Sequence, residues 1–383
     1  MRIGIDVRCL YEGRQTGVEE YAVNLLKNIF KEDKRNRYVL FFNAFKKSKA
    51  DFGWIKDYSN VELKTFRYPN KLLNFLFWYL KYPKADRMLG GVDYFFMPNI
   101  NFIALSRKAK LILTIHDLSF KHFPETFPFK TRLWHWFVNP KTLARNAQKI
   151  IAVSRSTKED LERIYKIPEE KIEVIYNGIS EKLGVIDRNN PRLLEVKEKY
   201  DLPFNFILFL GTFEPRKNII GAVRAYEILR RRGGKDMERF KLVIAGARGW
   251  KSRKIKKDIG RSEFREDILL LNFIEEDDKT YLYNLASLFV YPSFFEGFGI
   301  PPLEAMKCGI NVVASNNSSM PEVVGGGGIL VDADRPDEIA IAMRELILDK
   351  KAKEEISRER MRQVQKFSWG RSAREFIRML ESF

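Results

Sequence analysis

The stretch from Leu285 to Gly309 leaves the chain few choices of fold. Leu285 to Tyr291 is an apolar run without alternation, the pattern of a strand covered on both faces and so of a parallel sheet flanked by helices. The loop after it holds Glu296, Gly297 and Gly299, where missing side chains let backbone N–H groups come close to a ligand. Pro301 and Pro302 mark the start of a short helix, and Gly309 its end. Glu296 on the loop and Glu304 in the helix can then face one crevice at the strand's carboxyl end, where open α/β sheets bind ligands. A carboxylate accepts two hydrogen bonds from a vicinal diol, and free amides at a helix start donate to hydroxyl or phosphate oxygens. A polyhydroxylated, phosphorylated ligand suits that set. The other reading is a plain strand–turn–helix connection with solvated glutamates.

The same alternation of strand and helix begins at the first residues. Ile3 to Val7 reads as a parallel strand and Gly13-Arg-Gln-Thr-Gly17 as a small-residue loop. Val18 to Phe30 reads as a helix with an apolar face at Val18, Tyr21, Ala22, Leu25, Leu26 and Ile29. Strand, glycine loop and helix can together hold an anion, although most such turns only close a βα unit. Further strands are expected from Tyr38 to Asn43, Val61 to Phe66, Val92 to Met97 and Lys110 to Ile115. Pro69 to Pro83 is an aromatic helix bracketed by prolines, with Lys71, Lys81 and Lys84 at its ends. It is either core or an interfacial helix that meets a membrane or a lipidic acceptor. His116 follows a strand directly and stands where site residues gather, although a lone histidine is more often structural; His122 and His135 lack that placement. From Ile150 to Leu161 the expectation is strand, cap and helix, with Ser156 and Glu159 as a capping box. Asn177-Gly178 is a turn signal, and the charged stretch from Ser180 to Asn205 is the linker candidate.

The second half opens with a strand from Phe206, then Gly211-Thr-Phe-Glu-Pro-Arg-Lys-Asn218. Arg216 and Lys217 are expected at a helix N-terminus, where cations oppose the dipole, a conflict that a bound anion would resolve. An adjacent guanidinium and ammonium can neutralise a diphosphate; the alternative is two solvated surface charges. Strands are expected from Lys241 to Ala245, Ile268 to Ile274, Ile310 to Ala314 and Ile329 to Val331. The acids Glu275 to Asp278 fit an acid-rich helix start better than a metal cluster. An amphipathic helix runs from Trp369 to Leu380.

These runs, Tyr291 to Gly309, Gly211 to Asn218, Thr114-Ile-His-Asp-Leu118 and the Thr16-Gly17 pair, carry a resemblance over nearly the whole chain. The sequence resembles the retaining nucleotide-sugar glycosyltransferases of the GT-B fold, family 4, and most of all the mannosyltransferase branch of cell-surface polysaccharide synthesis. The resemblance implies an α/β architecture of two doubly wound, Rossmann-like domains facing each other across a cleft. The acceptor domain would span 1–185 plus a returning helix at 369–383, and the donor domain 186–368. By resemblance, His116, Arg216, Lys217 and Glu296 serve the reaction: His116 near the reacting sugar, the Arg–Lys pair on the donor pyrophosphate, Glu296 on sugar hydroxyls. Donor contacts would come from Gly13, Gly17, Gly211, Phe298, Gly299 and Ile300, from backbone near Phe273 and Ile274, and from Glu304 on the ribose diol. The implied reaction is same-face hexosyl transfer from a nucleoside diphosphate sugar, GDP-mannose first and a UDP-hexose second, to a glycan or lipid-linked acceptor. No cofactor and no metal are expected.

Composition bounds the rest. Lys and Arg number 68 against 50 Asp and Glu, a formal charge of +18 that favours anionic partners. About +13 of it falls in residues 1–180, beside the 69–83 aromatic segment, which suggests an anionic membrane surface as partner of the first domain. Two cysteines, Cys9 and Cys308, give no disulfide framework and no metal spacing, so a reducing compartment is expected. The chain enters a strand pattern at once, so no leader is expected, and no apolar run approaches the roughly 18 residues of a spanning helix. The expected place is the cytoplasm, with peripheral attachment at the inner face of the membrane. A nucleic-acid binder would need a basic stripe interleaved with aromatics, whereas the positive charges are scattered, so no nucleic-acid partner is expected. A phosphorylase of similar fold would carry a lysine-bound pyridoxal phosphate, which nothing marks. A binding-only relative of the enzymes is the remaining alternative.

Overall fold

All strand pairs in the computed structural model, which describes residues 1–13 and 16–383, are parallel. Parallel neighbours require a crossover long enough to hold a helix, and both faces of the sheet are then covered. That is why the strands read as continuous apolar runs rather than alternating ones.

One unit consists of Met1–Leu118, Phe129–Gly178 and Ser368–Phe383. Its strands are β1 (Arg2–Asp6), β2 (Arg37–Asn43), β3 (Val61–Phe66), β4 (Tyr94–Met97), β5 (Lys110–Ile115), β6 (Lys149–Ala152) and β7 (Ile172–Val174). They lie in the order β3-β2-β1-β4-β5-β6-β7, so the direction of winding reverses between β1 and β4. Ile3, Ile5, Phe95, Phe96, Ile112 and Leu113 are fully buried along the middle strands. The helix Gly17–Glu32 starts with a capping box: Thr16 Oγ1 accepts from Glu19 N–H at 3.3 Å and Glu19 Oε2 accepts from Thr16 N–H at 3.2 Å. The helix Trp369–Glu381 buries Trp369, Ala373, Phe376 and Leu380 at helical spacing against this helix, with Phe376 4.8 Å from Phe96. Ser372 Oγ fixes its height by donating to Tyr176 O at 2.6 Å.

The other unit consists of Ser119–Pro128 and Ile179–Phe367. Its strands are β8 (Phe206–Leu210), β9 (Lys241–Ala245), β10 (Ile268–Leu271), β11 (Leu288–Tyr291), β12 (Val312–Ser315) and β13 (Ile329–Val331). Their order, β10-β9-β8-β11-β12-β13, reverses between β8 and β11. Both units are thus doubly wound α/β sheets.

Four local expectations are corrected. The run from Leu285 is not all strand: Leu285 ends the helix Glu276–Leu285, and β11 begins at Leu288. Periodicity cannot separate the last turn of a buried helix from a buried strand when both are apolar. The capping box at Ser156 does not form, because the helix Arg155–Tyr165 starts earlier, on Ser154, whose Oγ accepts from Thr157 N–H at 3.0 Å. The stretch from Ser180 to Asn205 is not an open linker, since Pro191–Lys199 is a helix capped by Asn190. Arg192, Lys199 and Tyr200 reach the buried Asp278 carboxylate at 2.9, 2.6 and 2.9 Å, which ties this stretch to the Glu276–Leu285 helix. The strand expected from Ile268 to Ile274 stops at Leu271, which leaves Phe273 and Ile274 on the loop. The helix Trp369–Glu381 and the strand Val61–Phe66 stand where expected.

Candidate active site

Where the winding reverses, the loops leaving neighbouring strands turn to opposite faces and a crevice opens between them. In the second unit that place is the carboxyl end of β8 and β11. The loop after β8 makes a 3-10 turn, Pro215–Lys217, and ends on Asn218 at φ 52°. Asn218 Oδ1 accepts from Gly221 N–H at 3.1 Å and so caps the helix Ile219–Arg232. Its Nδ2 donates to Pro292 O at 3.0 Å and Ala333 O at 2.7 Å, which joins three loops at the end of the sheet. Arg216 and Lys217 therefore precede the cap instead of occupying the helix's first turn, and the expected conflict with the dipole does not arise.

Two carboxylates balance the pair. Lys217 Nζ donates to Glu296 Oε1 at 2.7 Å and Oε2 at 2.9 Å, and to Tyr291 OH at 2.7 Å. Arg216 Nη2 donates to Glu214 Oε1 at 2.7 Å; its Nη1 donates to Phe295 O at 2.5 Å and lies 3.2 Å from Glu296 Oε2. Ser293 Oγ donates to Glu296 Oε1 at 2.6 Å. Burial alone would raise the Glu296 carboxyl, but Arg216 and Lys217 outweigh it and hold it at about 2. Burial pushes the Glu214 carboxyl up, with Arg216 opposing, and pushes the Lys217 ammonium down, with Glu296 opposing. The knot holds two cations and two carboxylates.

The loop after β11 is fastened from the side. Glu296 N–H donates to Ser318 Oγ at 2.9 Å, and Ser319 Oγ donates to Glu296 O at 3.0 Å and Phe298 O at 2.8 Å. Gly299 sits at φ 95°, and a Cβ there would lie 1.9 Å from Met320 Cε, so only glycine fits. The helix Ile300–Lys307 carries prolines at its second and third positions, so Gly299 and Ile300 own the N–H groups left at its start. Phe298 is buried edge-on to Phe367 at 5.5 Å. Glu304 is buried with partners of its own: Lys279 Nζ donates to Oε1 at 2.7 Å and Tyr283 OH to Oε2 at 2.8 Å. Glu296 and Glu304 share none of these partners. Gly211 follows β8, and a Cβ there would stand 3.4 Å from the Tyr291 ring. Phe273 is 65% exposed on the loop after β10, with Ile274 half-buried beside it.

The remaining expected residues lie in the first unit. His116 follows β5, and its Nε2 is 2.9 Å from Pro98 O at the end of β4. A carbonyl can only accept, so Nε2 carries the hydrogen and Nδ1 keeps its lone pair. Burial lowers the imidazole's affinity for a second proton, against the pull of Pro98 O and Asp117, and the ring stays neutral near pH 7. Tyr21 meets it edge-on at 4.8 Å. Gly13 has φ 58° with Lys49 O packed against its α-carbon, whereas a Cβ at Gly17 would meet nothing within 4 Å. Among the described residues, Gly17 thus leaves open space at the first residue of its helix. Arg14 and Gln15, between these glycines, lie outside the described residues.

Sequence reasoning gave no role to Glu214, Tyr291, Ser293, Ser318, Ser319, Lys279 or Tyr283. Glu214 could have been found, because an acid two residues before Arg216 in a tight turn is in reach of its guanidinium. Ser293 reaches Glu296 from three residues away on the same loop, whereas Ser318, Ser319 and Lys279 stand on elements that only the fold brings together. Among the described residues, no group of three or more His, Cys, Asp and Glu side chains could hold a metal ion.

Comparison with known proteins bears on these loops. Residues 194–364 match the family model described as Glycosyl transferases group 1, and residues 16–183 match Glycosyltransferase Family 4. The chain is 34% identical over 273 residues to O-antigen chain mannosyltransferase B of Escherichia coli, covering 70% of this chain and 69% of that protein. It is 31% identical over 281 residues to the serotype-specific mannosyltransferase WbdA of Escherichia coli, covering 71% of this chain but 34% of that protein, so it spans about a third of that relative. Its fold is shared with Anabaena HepE, crystallised in complex with UDP-glucose, at a TM-score of 0.74 and 19% identity over the full length of both chains.

Proposed function

Because the chain belongs to the group 1, family 4 glycosyltransferases, we propose that it moves a hexose, mannose from GDP-mannose as first choice, to a hydroxyl of a glycan or lipid-linked acceptor in cell-surface polysaccharide or lipopolysaccharide synthesis. The observation that carries this reading is the pair Arg216 and Lys217, held by exchangeable carboxylates at the switch point of the second sheet. A donor diphosphate entering there would take over donors now given to Glu214 and Glu296.

The proposed step is transfer with retention. The bond from the sugar C1 to the phosphate oxygen breaks, and a bond from C1 to the acceptor oxygen forms on the same face. The acceptor's proton passes to an oxygen of the departing nucleoside diphosphate. Arg216 and Lys217 stabilise the negative charge that grows on that phosphate. Glu296 is neither nucleophile nor general base: a carboxylate held at about 2 takes up protons poorly near pH 7. Its part is to orient Lys217 and accept from a sugar hydroxyl. Glu304 is assigned to the ribose diol, and the Nδ1 lone pair of His116 to a hydroxyl of the sugars. Gly17 and Gly211 would admit donor oxygens close to the backbone, as would Gly299 with the Ile300 amide, whereas at Gly13 the Lys49 carbonyl fills that space. Phe273 and Ile274 would lie against the base. Two fixed cations serve the leaving group, so the chemistry needs no divalent metal. The site of action is the cytoplasmic face of the membrane.

A UDP-hexose is the second donor reading, favoured by the shared fold with a protein crystallised with UDP-glucose. Both are tested by offering GDP-mannose and UDP-hexoses with an oligosaccharide acceptor and reading the anomeric configuration of the product by NMR. GDP-mannose turnover with the donor's configuration kept is expected. Turnover with a UDP-hexose alone selects the second reading, and inversion rejects same-face attack.

A further inference from the structure

Two helices of the first unit keep apolar side chains on their outer sides. The first runs over Asn70–Phe75 and continues as a π-helical turn, Leu76–Leu80. Leu73 and Phe77 are buried, which answers the core expectation, yet Leu72, Phe75, Tyr79 and Leu80 are 49–66% exposed. The second helix, Phe129–Val138, had no signal that set it apart. It buries Val138 and turns outward Phe129, Leu133 and Trp136, at 73, 41 and 71% exposure. Their spacing of four and three residues makes one stripe. Trp78 and Phe137 meet edge-to-face at 5.0 Å, so the two helices share one aromatic surface. An exposed apolar patch of this kind marks an interaction site.

The charge around the patch has one sign. Residues 63–85 and 126–158 contain no Asp or Glu. Arg67, Lys71, Lys81, Lys130 and Arg132 are exposed, and none has an ion pair among the described residues. Two such faces repel, which disfavours a second copy of the chain as occupant. Stacking on nucleic-acid bases would use the rings but not Leu72, Leu80 and Leu133. Tryptophan and tyrosine among leucines, ringed by lysine and arginine, suit the depth where acyl chains meet anionic headgroups.

We infer that the outer faces of Asn70–Leu80 and Phe129–Val138 form one docking surface for an anionic lipid bilayer, with Phe75, Tyr79, Phe129 and Trp136 at headgroup depth. This deepens the membrane-face reading above and rests on it. The full-length protein is co-sedimented with phosphatidylcholine vesicles with and without phosphatidylglycerol, at low and high salt. Wild type is expected on the anionic vesicles at low salt only. A double Phe129→Ser, Trp136→Ser variant is expected to bind about tenfold less, with unchanged turnover on a soluble oligosaccharide acceptor. Wild-type binding that the double variant retains in full overturns the two-helix surface. Wild type that ignores vesicles but glycosylates a lipid-linked acceptor in detergent also overturns it, and leaves the acceptor reading standing. Loss of transfer to any lipid-linked acceptor, with vesicle binding intact, defeats that reading alone. Equal or tighter binding to a single-stranded oligonucleotide assigns the surface to nucleic acid instead.

Discussion

The two sheets reverse direction in the same way and hold different chemistry at the reversal. After β1, Arg8 Nη2 pairs with Asp6 Oδ2 at 2.6 Å and donates to Phe102 O at 2.8 Å. Its guanidinium lies 5.3 and 5.4 Å from the centres of the buried Phe41 and Phe77 rings, so that ion pair is turned into the unit. His116, on the neighbouring strands' side, is neutral. After β8 and β11, two cations and two carboxylates are shared among side chains of two loops, and Arg216 spends one nitrogen on a loop carbonyl. The loops that hold these charges are fastened independently by Asn218, Ser318 and Ser319, so on the proposed reading a phosphate that replaces one carboxylate would leave the loops in place. Topology makes the crevice; on the proposed reading, the residues in the two turns decide whether it takes a hydroxyl or a diphosphate.

The largest effect expected from this contrast is on turnover. Arg216→Ala should lower kcat by about 10²–10³, on the order of 3–4 kcal/mol, with a smaller change in donor KM, because phosphate charge grows in the transition state. Steady-state kinetics with the preferred donor checks it, and an unchanged kcat removes Arg216 from the chemical step. Next is acid stability. Glu296 sits at about 2 in the fold against an ordinary 4.5, so the folded state holds that proton less tightly than the unfolded chain. Its contribution, about 3 kcal/mol, is full above pH 4.5, declines as pH falls from there toward 2, and is absent below 2. Denaturant melts of wild type and Glu296→Gln should differ by that amount at pH 7 and converge near pH 2; a constant gap would show that Glu296 is not the titrating group.

Why some of this was legible in the sequence and some not follows from the range of the interactions. Strands β3 and β8 and the helix of Trp369 are written in local hydrophobic period, which needs no partner to be read. Arg216, Lys217 and Glu296 stood out as charges beside glycines and prolines in two turns, and Glu304 in the helix that follows the second. Their partners did not, since Glu296 meets Lys217 across 79 residues and Glu304 meets Lys279 across 25. The apolar Leu285 deceived because a buried helix end and a buried strand look alike, and Ser156 because Ser154 caps equally well.

Smaller effects sharpen the comparison further. Glu304→Ala should raise donor KM about tenfold with kcat changed only a few-fold, since a diol contact is equal in ground and transition states. A fall in kcat alone would move Glu304 into the chemical step. Exhaustive chelation should leave turnover unchanged; complete loss that Mg²⁺ or Mn²⁺ restores would make a metal part of the diphosphate site.

The most direct measurement is calorimetric titration of GDP and UDP into wild type, Lys217→Ala and His116→Ala. If the charge knot of the second sheet is the diphosphate seat, Lys217→Ala weakens the preferred nucleotide by about 30-fold or more, roughly 2 kcal/mol. His116→Ala, altering the neutral turn of the first sheet, leaves it within about twofold. Equal affinity in wild type and Lys217→Ala, or a loss confined to His116→Ala, would contradict the account.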